Sequence, residues 1–239
     1  MPKQSWLTRF IYGKSYGIVA INEKMKAYIE QRHGLKNVVN IYNPTNSEYI
    51  QERLQENNPE IEYTYILAVG RIDEVKQFDK LIKAYADSVL PGNNIKLMIL
   101  GEGNKKNELK RYADNLNLSD KVVFMGFQEN PYVYMKKALF VVLSSKFEGT
   151  PNVILESLAC GTPVVSFDCF TGPSEIINDR ENGLLIENQN IEKLTEGINL
   201  MFRDKKLYDH CKENATESIE KFSLETIGKQ WLQYLKIDN

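Results

Sequence analysis

The sequence is poor in the residues that build disulfide frameworks and zinc sites. It has three cysteines, Cys160, Cys169 and Cys211, and two histidines, His33 and His210, among its 239 residues. The cysteines form no C-x-x-C pair and the histidines lie far apart, whereas a zinc site needs clustered ligands. We therefore expect reduced thiols and no structural metal ion.

Long apolar runs and an excess of one charge are also missing. No run approaches the roughly 18 to 20 residues of a membrane span, and the start, MPKQSWLTRF, lacks a signal-peptide core. A cytoplasmic location is therefore expected. The 32 acidic and 30 basic side chains give a formal charge of −2, which argues against nucleic-acid binding through a strongly basic face.

From Tyr63 onward, short apolar runs alternate regularly with helical patterns. The runs are YILAVG, IKLMILG, KVVFMGF, LFVVLSS, PVVSFD and GLLIE, and a helical segment follows each of them. Continuous apolar strands separated by helices are typical of a parallel sheet that is covered on both faces. The sequence predicts an α/β domain with a doubly wound, Rossmann-like parallel sheet.

Four segments are predicted along the chain. Residues 1–45 contain a strand, a helix and a second strand, too little to bury a core of their own, and are interpreted as the remnant of a preceding domain. Residues 46–62 are predicted to be an interdomain linker and residues 63–222 the Rossmann-like domain. Residues 223–239 are predicted to form an amphipathic helix that packs toward the preceding domain. On this interpretation the chain is a truncated part of a longer protein.

Small and polar residues follow the predicted strands at their carboxyl ends. They are Gly70-Arg71, Gly101-Glu102-Gly103, Gly126-Phe127, Ser144-Ser145 and Asp168. Ligands on doubly wound sheets bind beyond these ends, so the repetition favours a ligand-binding edge. The alternative is that the glycines only form turns.

Five blocks of the sequence resemble the nucleotide-sugar-binding half of retaining GT-B glycosyltransferases of the group-four type. They are VGRIDEVKQFDKLIKAY, LMILGEGNKKNELK, VVFMGF, FEGTPNVILESLACGTPVVSFDCFTGPSEII and NGLLIE, in the order of the family. The resemblance implies the C-terminal half of a GT-B fold. It also implies transfer from a nucleoside-diphosphate sugar, with UDP as the expected nucleotide, to a saccharide or lipid-linked acceptor. The implied setting is bacterial surface polysaccharide or lipopolysaccharide synthesis.

The first domain of such enzymes supplies the acceptor site, and most of it would be missing from this chain. The resemblance therefore implies that this chain alone binds its donor weakly and transfers little. For the full-length protein it implies peripheral association with the cytoplasmic face of the inner membrane.

The motif positions of the family imply roles for four charged residues. The resemblance assigns Arg71 and Lys76 to the donor diphosphate, Glu148 to the transferred sugar and Glu156 to the ribose hydroxyls. A carboxylate suits a vicinal diol because it accepts two hydrogen bonds. From the residues alone, other interpretations stay open. Arg71 and Lys76 also fit two cations of a surface loop, Glu148 a favourable charge near a helix start, and Glu156 an exposed helix residue.

Further residues are assigned by the same resemblance to the nucleotide. The helix that follows Glu148 offers free N–H groups and a positive dipole end to a phosphate. The residues that open this helix are Gly149, Thr150, Pro151, Asn152 and Val153. Gly101 and Gly103 would let the protein backbone approach the nucleotide closely, and the implied contacts of the base are Gly126, Phe127 and Gln128. The glycines also fit a strand-to-helix turn, and Phe127 also fits ordinary packing.

Two motifs that would indicate other chemistry do not occur in the sequence. There is no Asp-x-Asp, so a metal-held diphosphate is not supported and we expect donor binding without a metal ion or other cofactor. No G-x-G-x-x-G follows a first strand, which argues against a nicotinamide dehydrogenase. A nucleotide-sugar 2-epimerase and a non-catalytic nucleotide-sugar-binding module remain as alternatives.

Overall fold

Two parallel sheets follow one another along the chain. The computed structural model describes residues 5–56 and 59–237. The first elements are α1 (Ser5–Tyr12), β1 (Ile18–Ala20), α2 (Glu23–His33) and β2 (Val38–Asn40). Strands β1 and β2 pair in parallel with α2 between them, and we call residues 18–42 the first unit. Its own core is small, consisting of Ala20, Leu35 and Val38.

A short helix, α3 (Ser47–Arg53), lies within the segment 46–62 that was predicted to be a linker. Its Ile50 is buried in the same apolar cluster as Tyr65. The remaining side chains of the helix are mostly polar, so its apolar pattern is too short to indicate a helix from sequence.

Residues 1–4, 57, 58, 238 and 239 lie outside the described residues, and the limits of the four predicted segments remain predictions.

The second sheet has six parallel strands in the described chain. They are β3 (Tyr65–Val69), β4 (Lys96–Leu100), β5 (Val122–Gly126), β6 (Val141–Leu143), β7 (Val164–Phe167) and β8 (Gly183–Ile186). Their spatial order is β5-β4-β3-β6-β7-β8. The chain therefore runs outward from β3 to β5, returns to β6 beside β3, and runs outward again to β8. This order confirms the predicted doubly wound sheet.

Helices cover both faces of this sheet. They are α4 (Phe78–Asp87), α5 (Lys106–Asn115), α6 (Tyr132–Lys137), α7 (Asn152–Ala159), α8 (Pro173–Ile176), α9 (Ile191–Arg203) and α10 (Lys205–Asn214). Side chains alternate along each strand, so Ile66 joins one core cluster and Leu67 the other. Helices α4, α5, α9 and α10 pack on the first face, and α6, α7 and α8 on the second.

Helix α11 (Leu224–Leu235) returns to the beginning of the chain. The Tyr16 hydroxyl donates to the Tyr234 carbonyl oxygen at 3.1 Å, and the two rings meet edge to face. Thr45 and Ser223 form an isolated parallel bridge. These contacts join α11 to the segments on both sides of the first unit. Across the described residues, no helix combines the length and apolarity that crossing a bilayer requires.

Gly183, the first residue of β8, is expected to tolerate no side chain. A Cβ atom there would lie 2.3 Å from the carbonyl oxygen of Val164 on β7, so Gly183→Ala should lower the free energy of unfolding by about 1–3 kcal/mol. Urea denaturation followed by circular dichroism measures this change. Gly92→Ala is the control, because its Cβ atom would have no neighbour within 4 Å. Equal stability of the two variants would contradict the prediction.

Candidate functional site

An ion pair lies at the topological switch point between β3 and β6. These neighbouring parallel strands lead into residues 70–77 and residues 144–151, so the two loops meet at the same edge of the sheet. There, Lys76 Nζ lies 2.6 Å from Glu148 Oε1. The side chains are 18% and 13% exposed, respectively, so the pair is largely shielded from water.

The loop that carries Lys76 is shaped by Asp73, a residue that was not singled out from the sequence. Its Oδ1 accepts hydrogen bonds from the backbone N–H groups of Val75 and Lys76, at 2.9 and 3.1 Å. Ser144, which follows β6, donates to the Lys76 carbonyl oxygen at 2.8 Å. An Asp before a turn is the sequence signal for the first contact, but it is equally common in loops without function.

A crevice of about 400 Å³ opens at the ends of β3, β4 and β5. It is lined by Val69, Gly70, Arg71, Leu100, Gly101, Glu102, Phe127, Gln128 and Pro131. Four residues predicted for the site therefore share one cavity. The stem of Lys76 passes over Gly70, where a Cβ atom would lie 2.9 Å from Lys76 Cε. The ion pair thus lies beside this crevice.

Arg71 and Phe127 are the most open of the predicted residues. The Arg71 side chain is 81% exposed, and its Nη2 lies 3.2 Å from Asp73 Oδ2. Phe127 is 77% exposed, so among the described residues its ring is not part of a packed core. Gln128, in contrast, is held by its neighbours, because its Oε1 accepts from the Tyr134 hydroxyl at 3.0 Å.

The predicted glycines are required by close backbone contacts. A Cβ atom at Gly101 would lie 1.9 Å from the Gly70 carbonyl oxygen, and one at Gly103 would lie 2.2 Å from that of Ile72. Gly126 has a φ of 76°, in the left-handed region that favours glycine. The turns account for these residues by themselves, and their contact with a nucleotide stays a prediction.

Helix α7 begins at Asn152, and Pro151 precedes it as the capping residue rather than standing within the first turn. Asn152 is exposed and Val153 is buried. The Thr150 hydroxyl donates to the Ile21 carbonyl oxygen of the first unit at 2.9 Å. Its side chain is therefore engaged within the protein, which its position in the motif did not indicate.

Glu156 lies one turn into α7 and is not the exposed helix residue that was considered as an alternative. Burial raises the pKa of its carboxyl group above the ordinary value, and the Lys76 ammonium group opposes that rise. Among the described residues, no hydrogen bond contributes to the shift. Lys76 therefore pairs with Glu148 and also opposes the raised pKa of Glu156.

The part of the chain that the structure describes contains no group of three or more Asp, Glu, His or Cys side chains that could hold a metal ion. Donor binding without a metal ion stays a prediction.

Cys160, Cys169 and Cys211 are free and buried, as expected. Burial raises the pKa of Cys160 to about 12 and that of the other two thiols to about 11, so all three are poor nucleophiles.

Comparison with known families identifies this fold and its motifs. The family described as glycosyl transferases group 1 matches residues 49–218, more than half of the chain. The chain belongs to this family. The result confirms the resemblance found in the sequence.

Individual relatives of this chain are bacterial glycosyltransferases. It is 39% identical over 195 residues to the N-acetylgalactosamine-N,N'-diacetylbacillosaminyl-diphospho-undecaprenol 4-alpha-N-acetylgalactosaminyltransferase of Campylobacter jejuni, covering 82% of this chain and 52% of the relative. It is 36% identical over 171 residues to the lipopolysaccharide core biosynthesis glycosyltransferase LpsE of Rhizobium meliloti, covering 71% and 49%. The glycosyltransferase chain spans about half the length of these relatives.

A solved structure shows the same fold. The crystal structure of a mutant of S. aureus TarM in complex with Fondaparinux, alpha-GlcNAc-glycerol and UDP matches with a TM-score of 0.84 and 27% identity. The match covers 98% of this chain and 46% of TarM. This glycosyltransferase chain therefore corresponds to the C-terminal half of a GT-B structure, as the sequence predicted.

Replacing Lys76 by Met should leave the Glu148 carboxylate unpaired in a largely buried place. We expect the free energy of unfolding at neutral pH to fall by about 3 kcal/mol, the lower end of the range for breaking a buried ion pair. Urea denaturation measures the change, and adding Glu148→Gln should recover part of it. The control is Lys83→Met, which breaks the exposed pair with Asp87 and should lower the free energy of unfolding far less, because water screens that pair. Equal losses in the two lysine variants would contradict the prediction.

Glu156→Gln should stabilise the fold at neutral pH. Because burial raises the pKa of Glu156 in the folded state, the ionised carboxylate destabilises that state once the pH exceeds its folded pKa. Below the unfolded pKa, which is about 4.3, both states are protonated and this effect disappears. Melting temperatures should therefore be higher for the variant at neutral pH and converge with those of the wild type in acid. A variant that melts lower than the wild type at neutral pH would contradict the assignment.

Proposed function

We propose that the chain is the donor-binding half of a retaining glycosyltransferase that uses a nucleoside-diphosphate sugar, with UDP as the nucleotide. The observation that carries the proposal is the Lys76–Glu148 ion pair at the switch point, beside the crevice lined by Arg71 and Phe127. A cation, a carboxylate and an open aromatic ring at one edge suit the diphosphate, the sugar and the base of such a donor. The presence of UDP in the TarM structure supports the choice of nucleotide.

The nucleoside occupies the crevice in this proposal. The base lies against the exposed ring of Phe127 and near the backbone of Gly126 and Gln128, and the turns at Gly101 and Gly103 give it close access. The ribose hydroxyls donate to Glu156. Hydrogen bonds to an ionised carboxylate favour that form, so the ribose offsets the cost of holding Glu156 away from water.

The diphosphate lies between the crevice and the ion pair. Arg71 and Lys76 supply positive charge, and the exposed start of α7 at Asn152 supplies N–H groups and the positive end of a helix dipole. Lys76 then contacts both a phosphate oxygen and the Glu148 carboxylate. The transferred sugar lies between the diphosphate and Glu148.

Transfer follows from this arrangement. The bond between C1 of the sugar and the diphosphate oxygen breaks, and its electron pair leaves with UDP. The acceptor hydroxyl attacks C1 from the same face and gives its proton to the leaving phosphate oxygen, so the configuration is retained. Arg71 and Lys76 stabilise the negative charge that grows on the diphosphate, while Glu148 orients the sugar hydroxyls and faces the positive charge at C1. A double displacement by Glu148 is less favoured, because its pairing with Lys76 lowers its nucleophilicity.

The acceptor site lies in the part of the longer protein that this chain does not include. The names of the Campylobacter and Rhizobium relatives refer to a lipid-linked sugar and to lipopolysaccharide core. By this likeness, the full protein transfers to a saccharide or lipid-linked acceptor at the cytoplasmic face of the membrane. The chain alone binds the donor weakly and transfers little.

Calorimetric titration of the chain with UDP, UDP-N-acetylgalactosamine, UDP-N-acetylglucosamine, UDP-glucose and GDP-mannose tests the proposal. One UDP-sugar should bind best, and its affinity should be unchanged in a chelator. Arg71→Ala and Glu156→Gln should each weaken UDP binding about tenfold, the value of one charge-assisted hydrogen bond. For Glu156→Gln the loss of binding should accompany a gain in stability, which separates it from unfolding.

Matched controls are available on exposed helices. Arg111→Ala on α5 and Glu192→Gln on α9 make the same chemical changes at exposed positions and should leave UDP binding unchanged. If the site variants bind UDP as well as these controls do, the proposed nucleotide site is misplaced.

A further inference from the structure

The first unit contacts the loop that carries Glu148. Residues 148–151, here called the glutamate loop, form the last part of the segment that connects β6 to α7. Asn22 Nδ2 donates to the Gly149 carbonyl oxygen at 3.0 Å, and the Thr150 hydroxyl donates back to the Ile21 carbonyl oxygen at 2.9 Å. Two consecutive residues of the first unit therefore bond to two consecutive residues of the glutamate loop, across more than 120 positions of sequence.

Asn22 is fixed by both ends of its amide. Its Oδ1 accepts from the Met25 N–H at 2.7 Å and caps α2, while its Nδ2 holds Gly149. The side chain is 1% exposed, and a buried amide group without a partner is costly. The cap therefore sets the direction in which the N–H donor points, and helix α2 and the glutamate loop are held as one piece.

A second, independent set of contacts anchors the same end of α2. The Glu175 carboxylate accepts from the backbone N–H groups of Glu23 and Lys24, at 2.9 and 3.2 Å, and from the Tyr42 hydroxyl at 2.8 Å. On the other side of the glutamate loop, the Thr171 hydroxyl donates to the Glu148 carbonyl oxygen. The start of α2 is thus a fixed support against which the loop is held.

We propose that Asn22 is a positioning residue for glycosyl transfer, because its bond to Gly149 sets the backbone from which Glu148 reaches Lys76 and the transferred sugar. This inference rests on the proposed function. It implies that the sugar and the nucleoside of the donor depend on different contacts. The sugar depends on the glutamate loop and therefore on Asn22, whereas the nucleoside depends on the crevice and on Glu156, which Asn22 does not contact.

The test compares binding of UDP and of a UDP-sugar by Asn22→Ser. Serine retains an oxygen that caps α2 but has no amide donor that reaches Gly149. Calorimetry on the whole chain should show the variant binding the best UDP-sugar of the panel about fivefold more weakly than the wild type, the net value of one hydrogen bond. Binding of UDP alone should weaken less, by about twofold at most, because Arg71, Asn152 and the crevice, none of which Asn22 contacts, hold most of this ligand.

Asn46→Ser is the matched control, since Asn46 caps α3 in the same way through Tyr49 N–H and is not part of the proposed site. It should leave both affinities unchanged. Hydrogen exchange adds a readout that needs no ligand: amides of the glutamate loop should exchange faster in Asn22→Ser than in Asn46→Ser.

The outcomes distinguish failure of the role of Asn22 from failure of the proposed function. Unchanged binding of the UDP-sugar, equal weakening of UDP and UDP-sugar, or unchanged exchange in the loop would overturn the role of Asn22 alone. A wild-type chain that binds neither UDP nor any UDP-sugar would overturn the proposed function and this inference together.

Discussion

The ion pair between Lys76 and Glu148 is the contact on which the arrangement of the site depends. It joins the loop after β3 to the loop after β6, the two neighbouring parallel strands at which the order of strands along the chain reverses. A charge removed from water on either loop would be unfavourable without the other. The pair therefore ties the position of the crevice to the position of α7. Glu156, one helical turn further along α7, lies in the field of the same lysine.

Much of the fold could be predicted from sequence because its strands are buried on both faces. Runs such as YILAVG have no polar residue to break them, and all six predicted strands are present in the structure. Helix α3 was not predicted, because a seven-residue helix with one buried side chain owes its stability to packing rather than to pattern. Likewise, residues 149–153 were expected to open α7, but the helix begins at Asn152, because local propensity does not fix a helix boundary to a single residue.

The candidate site could be predicted only in part, for a related reason. The resemblance to the family indicated Arg71, Lys76, Glu148 and Glu156. The structure pairs Lys76 with Glu148, and the same ammonium group opposes the raised pKa of Glu156. Asn22 could not be found in this way. Its importance for the glutamate loop comes from a hydrogen bond to a backbone carbonyl far away in sequence, and such a bond leaves no mark on the identity of the residue at the other end.

Arg71 and Lys76 carry the same charge in very different surroundings. The guanidinium group of Arg71 pairs with Asp73 in open solvent, where its field extends over a Debye length of about 8 Å at physiological ionic strength. The ammonium group of Lys76 is sheltered by the turns around it. An anionic ligand at this edge would meet the exposed charge first and the sheltered one afterwards. Ionic strength would then change the association rate of such a ligand more than its dissociation rate.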